Sequence, residues 1–187
     1  MQKQLKLAAA LAVLLTAGSA RADMKIMLKG GLGLFTGDLS NVTSAGLAWG
    51  LAMNFQPLGL LGIEFAYEGS RNALSDPAAP QSTGLFRNGA TGMLKVSPLP
   101  FPVLTPFVAA GLGGSYVIIQ GQESALRYQN GFALELPLAA GLEFNLPVLT
   151  VGARATYHFF LTQQFAIPTG SSRGDLFDVT ATVGLRY

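Results

Sequence analysis

Phe177-Asp178-Val179-Thr180-Ala181-Thr182-Val183-Gly184-Leu185-Arg186-Tyr187 ends the chain and alternates without a break. Phe177, Val179, Ala181, Val183, Leu185 and Tyr187 share one parity, and Asp178, Thr180, Thr182, Gly184 and Arg186 share the other. Successive side chains of a strand point to opposite faces, so the segment reads as one strand with an apolar and a polar side. A helix would scatter the same residues around its circumference.

The pattern recurs upstream. Ala45, Leu47, Trp49, Leu51, Met53 and Phe55 form one apolar face; Leu61, Ile63, Phe65 and Tyr67 form a second. Phe132, Leu134, Leu136, Leu138, Ala140, Leu142 and Phe144 form a third, and Leu149, Val151, Ala153, Ala155, Tyr157 and Phe159 a fourth. Segments 24–35, 86–96 and 105–118 alternate less cleanly and bring the expected number of strands to eight. Short connections centre on Pro57-Leu58-Gly59, on 98–102 and on Leu146-Pro147, while longer polar ones occupy 37–43, 69–84, 120–131 and 162–175. Tight turns on one side and long loops on the other describe an antiparallel up-and-down barrel. Pro106 fits the first residue of a strand, whereas Pro137 removes a ladder donor mid-strand and points to a bulge or an edge.

Composition narrows the class. The 187 residues are 50% hydrophobic and 12% charged, against roughly 25% charged in an ordinary soluble domain. There is no cysteine, which excludes a disulfide framework, a thiol nucleophile and cysteine-ligated metal. Residues 1–22 carry a positive start with Lys3 and Lys6, an apolar run from Leu7 to Ala17, and small residues at Ala20 and Ala22. That is the layout of a cleavable export signal, too short to cross a bilayer, and it leaves 23–187 as the barrel domain. The formal net charge of +2 depends on that segment: without Lys3, Lys6 and Arg21, 9 basic residues stand against 10 acidic ones. A basic face for nucleic acid is therefore not expected.

Polarity decides between a soluble and a membrane barrel. A membrane barrel turns its apolar parity outward and gathers aromatics in two belts at the lipid–water boundaries. Phe55, Phe144 and Tyr187 lie towards the short turns, and Tyr67, Phe86, Tyr116, Phe132, Phe159 and Phe177 towards the long loops, with Trp49 expected between the belts. The opposite parity carries Lys29, Glu64, Lys95, Glu135, Glu143, Arg154, His158 and Arg186. An eight-stranded lumen is just wide enough for side chains to fill, so these charges are expected to pair inside it. The expected groups are Glu143 with Lys95 and Arg186, and Glu64 with Arg154 and Lys29.

The signal segment, the eight alternating segments and the ending Gly184-Leu185-Arg186-Tyr187 resemble the small eight-stranded outer-membrane barrels, namely the OmpA transmembrane domain, OmpX and the opacity-type surface proteins. The resemblance is architectural. It implies an outer-membrane location with both termini periplasmic, lipid as the constant partner, and Tyr187 as a terminal aromatic recognised by the barrel assembly machinery. A shared barrel hosts adhesins, channels and enzymes alike, so fold alone names no activity.

Candidates for chemistry are few. His158, the single histidine, is expected to face inward near Glu135. A His–carboxylate pair with a serine would suit a hydrolase. The lipid A deacylase barrels, however, carry a His-x-Ser element where this chain has His158-Phe159-Phe160. Gly30-Gly31-Leu32-Gly33 and Gly111-Leu112-Gly113-Gly114 lack the Lys-Ser/Thr of a phosphate-binding loop. Arg173-Gly174-Asp175 in the last long loop is a possible adhesion element, and Asn41-Val42-Thr43 is a sequon without evident use. The expectation is thus a monomeric outer-membrane barrel with a structural, surface-display or adhesion role and a possible extracellular ligand for its loops. No catalytic residue, cofactor or metal is expected. The alternatives are a channel for small or hydrophobic solutes and a lipid-modifying enzyme.

Overall fold

The computed structural model describes residues 23–58, 60–75, 84–99, 103–120, 130–163 and 174–187. Segment 1–22, expected from its sequence to be an export signal, and most of the three later long loops lie outside the described residues. Eight strands follow in order: β1 Asp23–Phe35, β2 Gly46–Leu58, β3 Leu61–Ala73, β4 Gly84–Val96, β5 Leu104–Gln120, β6 Gly131–Asn145, β7 Leu149–Gln163 and β8 Leu176–Arg186. Each pairs antiparallel with its sequence neighbours, and β8 returns to β1 from Lys25↔Arg186 to Phe35↔Leu176, which closes the barrel and leaves no free edge. The backbone of Tyr187 completes the seam, donating to Met24 O at 2.9 Å.

Burial follows the parity of the chain, inverted relative to a soluble barrel. Leu28, Leu32, Phe65 and Leu112 are 58–66% exposed, whereas Glu64 and Glu135 are fully buried. With strands of 11 to 17 residues, each wall segment is long enough for the ~9–11 residues that a tilted transmembrane strand needs.

Several boundaries differ from the sequence reading, for physical reasons. β3 runs on to Ala73 where a loop from 69 was expected, because Ser70 and Asn72 are lumenal positions of the strand. The Asn72 side-chain amide donates to Gly33 O at 2.8 Å and to Ser44 O at 3.0 Å, so its polarity is used inside the wall. Trp49 is not mid-barrel. It sits three residues from the upper end of β2, in register with Gly69, and its ring lies 5.4 Å from that of Phe86 in the long-loop belt. A Cβ on Gly69 would come within 2.5 Å of the indole, so glycine is what lets the ring lie flat on the wall.

Pro106 is the third residue of β5, not the first, and pairs with Leu142. Pro137 faces the lumen opposite His158 of β7. The barrel being closed, it marks no edge. On its other side the β5–β6 pairing stops at Ala110↔Leu138 and resumes at Gly113↔Glu135, and a register shift in β6–β7 follows between Leu134 and Glu135.

At the long-loop end, Phe35, Leu85, Val117, Ala133 and Leu176 converge with Leu74 and with Leu39 of a short 3-10 turn, Gly37–Asn41. Gly37 starts that turn with a φ of 63°, a left-handed conformation that glycine adopts without strain. The result is an apolar plug that roofs the lumen.

Candidate functional site in the barrel lumen

Beneath the plug, the polar parity of all eight strands meets on the barrel axis. Among the described residues, five buried cations (Lys25, Lys29, Arg87, Lys95 and Arg154) face five buried carboxylates (Glu64, Glu68, Glu135, Glu143 and Asp178). They sort into three levels.

The lowest level lies near the short turns. Glu143 accepts from Lys25 Nζ at 3.0 Å and from Lys95, whose ammonium also sits 4.2 Å from the centre of the Phe107 ring. Lys25 donates to Asn145 Oδ1 at 2.9 Å, and Asn145 in turn binds the hydroxyls of Thr105 and Thr150. Lys25 thus takes the place expected of Arg186. The two are register partners, but Lys25 is buried where Arg186 is only half-buried at the end of β8.

At mid-height Arg154 binds Glu64, donates to Thr156 Oγ1 at 3.1 Å and touches Met93 Sδ at 3.3 Å. Lys29 is not part of this group. It binds Glu68 one level higher, because β1 and β3 are staggered in the closed barrel and Glu68, not Glu64, comes level with it.

The upper level is the richest. Arg87 Nη2 donates to both oxygens of Glu135, at 2.7 and 2.6 Å. His158 is fully buried. Its Nδ1 lies 3.3 Å from Arg87 Nη2 and 3.4 Å from Glu135 Oε2, and its Nε2 lies 2.9 Å from Asp178 Oδ2 and 3.8 Å from Glu68 Oε2. Both ring nitrogens therefore face charged partners, and neither is turned to a serine hydroxyl. A cavity of about 10 Å³ borders this level, about the least room that seats a single water. Glu68 Oε2, Ser70 Oγ and Thr180 Oγ1, on residues lining it, have no hydrogen-bond partner among the described residues.

Lys25, Glu68, Arg87 and Asp178 complete the network beyond the residues expected from sequence. Glu68 and Asp178 were visible as polar-parity positions of β3 and β8. Lys25 and Arg87 share the parity of Lys29 in β1 and of Lys95 in β4, so the same signal could have found them.

The adhesion element divides. Arg173 lies outside the described residues. Gly174 is buried against Thr36 and Leu39, and the Asp175 carboxylate accepts from Phe160 N–H at 3.0 Å and from the Tyr157 hydroxyl at 3.1 Å. That carboxylate is bound at the rim of the barrel.

No protein-family model matches the chain, and no curated protein matches it either. Solved structures do match. The solved structures it resembles are small outer-membrane barrels. Neisserial surface protein A aligns with a TM-score of 0.64 at 12% identity, over 88% of this chain and 97% of its own. Ail, the attachment invasion locus protein of Yersinia pestis, in complex with the heparin analogue sucrose octasulfate, gives 0.60 at 12% identity, over 89% and 99%. The outer membrane protein OprG of Pseudomonas aeruginosa gives 0.55 at 10% identity, over 91% and 98%. At such identities the likeness establishes the fold: a closed, eight-stranded antiparallel barrel of the outer-membrane type.

Proposed function

We propose that the protein is a monomeric outer-membrane barrel, both termini periplasmic, that serves as a non-catalytic anchor displaying its long loops at the cell surface. The inverted burial of the wall carries this reading. Large apolar side chains on the outside have no aqueous use, and charges sealed on the axis need the closed cylinder that hides them. The lumen supports a scaffold role, since paired side chains fill it and the apolar plug roofs it. Two of the similar structures are of a surface protein and an attachment protein, which fits display. In this reading Tyr187, at the β8–β1 seam, is the signal read by the assembly machinery, and any extracellular ligand is met by loops rather than by the lumen.

The test is cell fractionation combined with gel migration of boiled and unboiled samples. The expected result is an outer-membrane protein that resists SDS when cold and shifts on heating. A soluble periplasmic protein with no heat-dependent shift overturns the proposal.

One observation favours a second reading, passage of a small apolar solute through the wall. The two missing β5–β6 pairs, at Gly111 and Leu112 opposite Leu136 and Pro137, interrupt the ladder beside an otherwise packed lumen. Uptake of an apolar solute into vesicles containing the protein, beyond that into empty vesicles, would establish it.

A further inference from the structure

Among the described strand residues, one charged side chain lies exposed on the outward parity: Arg71 of β3. Its outward face reads, from the short-turn end, Leu61, Ile63, Phe65, Tyr67, Gly69 and then Arg71. Ten residues at about 3.4 Å each, along a strand tilted by roughly 40°, raise Arg71 about 26 Å above Leu61, the height of a transmembrane apolar band. Its register partners are Leu47 and Phe86, and the Trp49–Phe86 aromatic pair stands beside it. Tyr67 and Asn88, the nearest polar groups below, bind each other at 2.7 Å. The guanidinium has no ion-pair or hydrogen-bond partner among the described residues.

A lipid-facing arginine is tolerated only where its head reaches the interface, because the cost of exposing it to lipid is largest at mid-bilayer and nearly vanishes at the headgroups. Resting on the membrane reading above, we propose that Arg71 is a binding site for the phosphate of an anionic lipid in the leaflet on the long-loop side. The aromatic pair forms the wall against which the acyl chains lie. The fork of N–H donors matches phosphate oxygens two at a time, and among the described residues no carboxylate on this outer face competes for it. The neighbouring side chains, Leu47, Trp49, Tyr67 and Phe86, supply the apolar contact that a lipid brings and a free ion does not.

Trp49 is the only tryptophan of the chain, so its fluorescence reports on this one patch. The folded protein is placed in phosphatidylcholine vesicles containing either brominated phosphatidylglycerol or brominated phosphatidylcholine at equal mole fraction. The anionic quencher is expected to act as though enriched roughly fivefold at Trp49, the effect of one basic residue near anionic lipid. Arg71→Gln removes that difference and Arg71→Lys keeps part of it, both with an unchanged heat shift on gels. Inorganic phosphate, added at constant ionic strength, leaves it in place. Equal quenching by the two lipids, a preference that survives Arg71→Gln, or one abolished by inorganic phosphate overturns the site. If neither brominated lipid quenches Trp49, the membrane reading falls and the site with it.

Discussion

Glu143 illustrates how a single lumenal residue works. Its two oxygens serve two different lysines, Lys25 and Lys95, both almost fully buried. Burying three charges is costly, and mutual attraction offsets that cost only while all three are present. Glu143→Gln leaves two buried ammonium groups sharing a neutral amide. It is expected to destabilise the barrel by about 3–5 kcal/mol, the cost of breaking a buried pair from one side. Urea unfolding in lipid vesicles, followed by tryptophan fluorescence, measures this. Replacing a pair together is different in kind. Glu64→Leu with Arg154→Met removes both charges of the mid-level pair, and is expected to cost less than either single change. If the double variant is the least stable of the three, the pair contributes net stability rather than specificity. The partner choice itself was only half legible. Parity placed Glu64, Glu143, Arg154 and Lys95 in the lumen, but assigned Arg186 where Lys25 stands and put Lys29 one level too low.

At the scale of the element, glycine and proline set what each strand can do. Trp49 covers Gly69 across β2 and β3, and the ring would meet a methyl group there at 2.5 Å. Gly69→Ala is therefore expected to lift the indole off the wall and cost about 1–3 kcal/mol, as overpacking does. A shift in the Trp49 emission maximum, together with a lower unfolding midpoint, checks both parts. Pro137 acts on hydrogen bonding instead. It has no N–H, and the β5–β6 pairing is interrupted beside it. Pro137→Ala restores a donor for the Gly111 carbonyl, and with that pair closed the Gly111 amide is expected to exchange more slowly with deuterium. Unchanged exchange at Gly111 would mean that the backbone path of β5, rather than the proline, holds the ladder open. The sequence marked Pro137 as a disturbance, and only the pairing showed which neighbouring strand it disturbs.

For the whole molecule, the central expectation is the direction of its two faces. Spin labels at Leu138 and Val183, both outward and exposed, are expected to be relaxed strongly by oxygen dissolved in lipid and weakly by an aqueous nickel complex. The reverse ranking would assign the polarity inside out. Conductance is a second property of the whole. A lumen filled by three ionic levels and roofed by Leu39, Leu74, Leu85 and Leu176 is expected to show no resolved current steps in a planar bilayer. Steps above leak would require the plug to move, and labels on Leu39 would then report the movement.

By itself the sequence determined that the chain forms strands, which parity is apolar, and that the polar parity carries charges of both signs. These are local facts, because side-chain direction along a strand repeats every two residues and can be read without knowing any neighbour. The tertiary structure alone decided several of the heights at which those charges meet: Lys25 beside Glu143, Lys29 beside Glu68, and Arg87 and Asp178 about His158, whose nearness to Glu135 the alternation already suggested. Closing eight strands into a tilted cylinder staggers each against the next, and that stagger is a property of the closed sheet that no single segment encodes.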